Sequence, residues 1–208
     1  MKKLLNLLVV PMLAGLVFTS CEKDGVDEHE HELMTTLIYK LTAEGKEDVV
    51  FTFEDLDGEG GMTPEYDQTG TLVAGTTYAG SITILNEAEH EEHEGEDHEG
   101  EDHEGEDHEG DMTDPHFNVT LEIIEEKDDH QFFYTNVTGA TISYADKDNN
   151  NLAFGLESSF VTEEAGPTSF TITLIHMPNK SGVGVLGGDI TNADGTTDIE
   201  VTFSADVE

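Results

Sequence analysis

Residues 87–111 read EAEHEEHEGEDHEGEDHEGEDHEGD: fifteen acids, five His, four Gly and one Ala, with no apolar group larger than that alanine. Copies of HEGED start at His93, His98 and His103, and a truncated copy starts at His108. Ordering a residue costs about 1–2 kcal/mol, and nothing apolar is available here to offset it. A five-residue period fits neither the 3.6-residue turn of a helix nor the two-residue repeat of a strand, and each Gly weakens both. The segment is therefore predicted to be a long, self-repelling disordered loop. Any core must be built from the flanking runs, 33–86 and 117–207.

Those runs read as strands. Residues 33–41 (LMTTLIYKL) and 78–85 (YAGSITIL) are apolar and β-branched, and Val49, Phe51 and Phe53 alternate with Val50, Thr52 and Glu54. After the loop, strands are expected at 119–123, 131–134, 140–145 and 154–162, although 121–129 (LEIIEEKDD) also suits a short helix. Phe170, Ile172 and Leu174 alternate with Thr171, Thr173 and Ile175. Ile199, Val201 and Phe203 alternate with Asp198, Glu200 and Thr202. Two-residue alternation between turns of Gly, Asn, Asp and Pro indicates antiparallel sheets. The prediction is an all-β domain over 33–207: one antiparallel, immunoglobulin-like β-sandwich of eight or nine strands, interrupted by the loop at 87–111.

The N-terminus reads as an address. Met1-Lys2-Lys3 is basic, Leu4 to Val17 is apolar, and Cys21, the sole cysteine, follows Phe18-Thr19-Ser20. The apolar run is short for a membrane-spanning helix, which needs about 20 residues. The layout resembles a bacterial lipoprotein signal over 1–20 with Cys21 as the lipidated residue. Residues 21–32 then form an acidic tether containing His29 and His31. The start of this tether is similar to the signal that displays Bacteroidota lipoproteins at the surface, so the expected place is the outer membrane, on its surface or periplasmic face. One cysteine allows no intrachain disulfide.

The charge is −39, from 8 Lys, no Arg and 47 acids. Such a field repels phosphate and argues against nucleic acid as a partner; it attracts cations. Imidazole and carboxylate together suit zinc, and imidazole also suits copper, nickel and iron. Candidate metal ligands are thus His90, His93, His98, His103 and His108, with His29 and His31 assisting. A flexible chain must be ordered on binding, so each such site is weak, but many of them raise the local metal concentration. The repeat as a mere spacer is the competing reading.

Asp146, Asp148, Asn150 and Glu157 nearly fit the calcium-loop pattern, with Asn151 in place of its Gly, although the flanks are strands and an Asn/Asp turn explains the same letters. The acidic turn Asp55 to Gly61 has the same two readings. The alternation places His176 inward at a strand end, and His130 precedes an aromatic strand. A buried, hydrogen-bonded histidine is the expected role of each; brought together, the two could bind a metal. Gly182 to Gly187 matches G-x-G-x-x-G but lacks a following helix and βαβ context, so it reads as a loop. No nucleophile elbow, H-E-x-x-H or phosphate loop is present, and no enzyme is expected.

The stretches HEHELMTTLIYKL, FEDLDGEGG, EEKDDHQFFY, LIHMPNKSG and GGDITNADGTTDIEVTF are spread over 29–203. They resemble a family of small Bacteroidota outer-membrane lipoproteins with a His/Glu-rich start and an acidic insertion, often labelled as a type 1 periplasmic binding fold. The strand pattern points to a sandwich rather than to the α/β lobes of that label. The resemblance implies a partner, an outer-membrane metal-uptake receptor, and carries no catalytic residues. The function expected is metal capture, buffering or hand-over. The alternative is a calcium-stabilised binding or adhesion module in which the loop only spaces.

Overall fold

A computed structural model describes residues 33–58, 62–88 and 112–208, all within one unit spanning 31–208. Residues 1–32, which include the expected signal, Cys21 and the expected tether, and residues 89–111 of the acidic segment lie outside the described residues. The strands are β1 (Thr36–Thr42), β2 (Val49–Glu54), β3 (Glu65–Thr69), β4 (Thr77–Leu85), β5 (His130–Thr138), β6 (Ala140–Tyr144), β7 (Glu157–Thr162), β8 (Gly166–His176) and β9 (Thr196–Val207). They form two antiparallel sheets, ordered β3-β2-β1-β4-β7-β6 and β5-β8-β9. The inner faces share one apolar core. Phe170 of the small sheet meets Phe51 (5.3 Å between ring centroids), Tyr39 (5.7 Å) and Phe160 (5.3 Å) of the large one. The expected antiparallel β-sandwich is therefore the fold.

Two elements differ from the sequence reading. Residues 119–123 are not a strand; the short helix that 121–129 also suited forms instead, as α1 (Thr120–Glu125), and its buried N-cap Val119 and buried Ile123 are four residues apart, the spacing of one helical face. The Thr120 hydroxyl explains the change: it accepts from the Ile84 N–H (2.7 Å) and donates to the Ile84 carbonyl (3.1 Å). One side chain thus satisfies the end of β4 where another strand would have paired. The unforeseen strand is β3 (EYDQT), exposed at every position. It is a polar sheet edge, and its letters contain no apolar alternation to find.

The two ends of the acidic insertion meet. The Asn86 N–H donates to the Phe117 carbonyl at 2.9 Å. Glu87 is tied to β1, its N–H donating to Thr35 Oγ1 at 2.8 Å and its carboxylate accepting from Thr36.

β8 is buried on both faces. Its outer face carries a second cluster of Phe133, Ile175, Val185 and Ala193. The Gly-rich run covers it with 3-10 turns at Val185–Gly187 and Ile190–Asn192; Gly184 and Gly188 adopt the left-handed conformation that caps the first.

Gly80 sits where a side chain has no room. A Cβ there would lie 2.5 Å from both Tyr39 Oη and Ser158 Oγ, which hydrogen-bond each other at 2.6 Å in the core. Gly80→Ala should therefore cost about 1–3 kcal/mol as overpacking. Tyr39→Phe, which deletes one of the two crowding oxygens, should recover part of that loss. Urea denaturation of the two single variants and the double variant reads both effects; strict additivity would refute the crowding.

Candidate metal centre

His130 and His176 are directly opposite one another in the β5–β8 register. Each is on the inner face, in step with Phe132 and Leu174, which also oppose one another. Their rings stack with centroids 4.7 Å apart and planes 9° from parallel. The cap residue of α1, Glu126, closes over them. Glu126, His130 and His176 each offer one donor atom, and the three atoms lie within 4.8 Å of one another.

His130 Nδ1 lies 3.0 Å from the Glu126 backbone carbonyl. A carbonyl oxygen only accepts, so Nδ1 carries the proton. His130 is buried, and desolvation pushes its pKa below the usual imidazole value; His176 adds to this, while the Glu126 carbonyl and the Asp198 and Glu126 charges oppose it without reversing it. The ring is then neutral near pH 7, with Nε2 a bare lone pair. A backbone carbonyl holding Nδ1–H is a common way of orienting a metal-binding histidine. Glu126 and His176 are only half-buried, so the cluster is reachable from solvent.

Asp198 lies beside His130. The β8–β9 register shifts between Leu174, opposite Ile199, and Ile175, opposite Thr197. Asp198 is the extra residue of that bulge. Alternation alone placed it outward, away from Ile199, but bulges re-aim side chains. Its carboxylate is 4% exposed, and Oδ2 lies 3.9 Å from His130 Nε2.

Sequence reasoning named His130 and His176 and missed Glu126 and Asp198. Glu126 precedes His130 by four residues, a weak signal in so acidic a chain. Asp198 left none, because a bulge is a property of strand pairing. The histidines first expected to bind metal, His29, His31, His90, His93, His98, His103 and His108, lie outside the described residues, as does Cys21.

The candidate calcium ligands lie in a hydrogen-bonded turn. Asp146 accepts from the N–H groups of Gly155 (2.7 Å) and Glu157 (2.9 Å). Asp148 Oδ1 accepts from the N–H groups of Asn150 (2.9 Å) and Leu152 (2.8 Å), and Oδ2 takes Lys180 Nζ at 2.7 Å. Asn150 and Glu157 are exposed, and they lend Asp146 and Asp148 backbone N–H groups. Asn151 takes the left-handed conformation, φ 64°, expected of it. These residues build a turn in which the Lys180 ammonium is the cation at Asp148. In the second acidic turn, residues 59–61 lie outside the described residues.

Compared with family models, curated proteins and solved structures, the chain matches none.

Proposed function

We propose that this is a lipid-anchored protein of the cell envelope that binds a divalent transition metal, zinc foremost, at Glu126, His130 and His176. The observation that carries the reading is the pair of register-matched imidazoles beside a carboxylate, one of them oriented through Nδ1 so that Nε2 is a lone pair. Two nitrogens and a carboxylate oxygen suit zinc better than calcium or magnesium, which prefer all-oxygen shells. The histidines of 87–111, with His29 and His31, serve as weak auxiliary ligands that concentrate the ion. Capture, buffering and hand-over to an outer-membrane receptor are the roles in keeping with the lipoprotein-like start. No reaction is assigned.

Zinc calorimetry on three full chains tests this. A chain with Gln at the seven tether and repeat histidines should keep one tight site and lose the weak ones. A chain carrying His130→Gln and His176→Gln should lose the tight site and keep the weak ones. A tight site that survives the second pair of substitutions would overturn the assignment.

A further inference from the structure

We propose that the free edge of β9 is a docking site for one extended, basic segment of a partner protein, which adds to the small sheet as a fourth strand. Docking there does not require a metal at the centre.

The two sheets are unequal, six strands facing three. On one side Gly139 alone joins β5 to β6 and closes the sandwich. On the other, β3 and β9 each have a single hydrogen-bonded neighbour, β2 and β8. The small sheet stops short there. Tyr66 of β3 stands opposite the inward Phe53, and its ring meets Phe53 (5.3 Å between centroids) and Phe203 of β9 (6.2 Å). It is nevertheless 57% exposed. Neighbouring strands lie about 4.8 Å apart, so a strand added beyond β9 would cover the open side of Tyr66. The far end of this β9 edge is already paired: the Glu208 N–H donates to the Leu72 carbonyl (2.8 Å) and the Glu208 carbonyl accepts from the Ala74 N–H (2.7 Å). Along a strand the backbone groups of every second residue point to the same edge. Asp206, Ser204, Thr202 and Glu200 therefore present theirs beside those of Glu208. The Leu72–Val207 bridge occupies the edge at Asp206. Among the described residues no backbone bond reaches Glu200, Thr202 or Ser204 from that side. Such a row is a template for another strand.

Charge selects the occupant. Edge strands are commonly guarded by lysine, yet neither β3 (EYDQT) nor β9 (TTDIEVTFSADV) contains one. The slot is flanked instead by exposed acids, Glu200 and Asp206 on β9 and Glu65 and Asp67 on β3. A second copy would bring the same acids together, and chains of charge −39 repel one another. Residues 21–32, 59–61 and 89–111 of this chain are acidic as well and carry no alternating apolar residues. The segment that fits alternates apolar side chains with Lys or Arg. Its apolar side chains would lie inward on Tyr66 and the half-buried Ala205, and its cations outward beside Glu200 and Asp206, as favourable cross-strand pairs. Main-chain bonds hold such an added strand and its alternate side chains give specificity.

The test is amide hydrogen exchange by NMR on the full chain, with two end-blocked peptides as probes. One alternates Lys with Val; the other alternates Lys with Gly and carries the same charge without the strand preference. The Lys–Val peptide should slow exchange at Glu200, Thr202 and Ser204 by about tenfold or more and shift the Tyr66 ring signals, and the Lys–Gly peptide should do neither. Ser204→Pro removes an N–H from the free edge and none from the ladder with β8, a place where a strand tolerates proline. It should keep the fold and bind the Lys–Val peptide about tenfold more weakly. Equal binding of the two peptides with the three amides unmoved would overturn the proposal, since attraction would then be charge alone. So would amides already slow without peptide: in a monomer by sedimentation the chain covers its own edge, and in a dimer a second copy does. If Ser204→Pro does not fold, the exchange pattern of the parent decides.

Discussion

Lys180→Met should lower the melting temperature by about 10 °C at pH 7. The Lys180 ammonium lies 2.7 Å from Asp148 Oδ2, with side-chain exposures of 7% and 0%, and it donates a second bond to the Lys127 carbonyl at 2.9 Å. Removing one partner of a buried ion pair strands the other charge and costs about 3–5 kcal/mol. For a chain of this size each kcal/mol moves the midpoint by about 2–4 °C. Replacing both partners should cost less, so Asp148→Asn combined with Lys180→Met is expected to be more stable than Lys180→Met alone.

Acid offers a second reading of the same pair. Burial raises the Asp148 pKa, but the Lys180 bond and the N–H groups of Leu152 and Asn150 outweigh it and hold it below the usual carboxylate range. The group binds a proton less readily folded than unfolded. Its contribution is therefore full above the unfolded value, about 3.9, and is lost as pH falls through the folded one. In Lys180→Met only the N–H groups of Leu152 and Asn150 still oppose burial, so Asp148 should take up its proton at higher pH than in the parent. The gap between parent and variant should be wide at pH 7 and narrow below pH 4. Circular-dichroism melts across that range check it, and a gap independent of pH would refute the role given to the Asp148 charge.

Zinc at a hundred times its dissociation constant should raise the melting temperature by about 5–10 °C. An ion bound only by the folded state stabilises by RT ln(1 + [L]/Kd), about 2.7 kcal/mol at that ratio. The ligands come from α1, β5 and β8, whose approach exists only in the folded chain. The rise should survive Gln at the seven tether and repeat histidines, since a chain segment that binds equally well unfolded adds no stability. It should vanish in His130→Gln, His176→Gln. Calcium at the same concentration should leave the midpoint in place. A zinc effect that follows the repeat histidines instead would place the tight site elsewhere.

Much of the core was legible because strand alternation is local. Val49, Phe51 and Phe53 face inward two residues apart, as do Phe170, Ile172 and Leu174, and each such run announces a buried face without reference to any other. β3 was invisible for the converse reason: an exposed edge needs no apolar letters. Residues 119–123 stayed ambiguous between a strand and the short helix over 121–129 because Val, Thr and Ile suit both, and the Thr120–Ile84 contacts that settle the matter span 36 positions. Lys180, 32 positions from Asp148, looked like any loop lysine.

By itself the sequence determined the class of fold, the place where no core could form, and the inward face for His176. These depend on the order of neighbouring side chains. Tertiary structure alone decided that His130 stands opposite His176, that Glu126 caps the pair, and that a bulge turns Asp198 toward them. A repeat of two residues specifies a face but not a partner. Partners follow from register, and register is set when strands far apart in the chain choose the one alignment that buries all their apolar faces together.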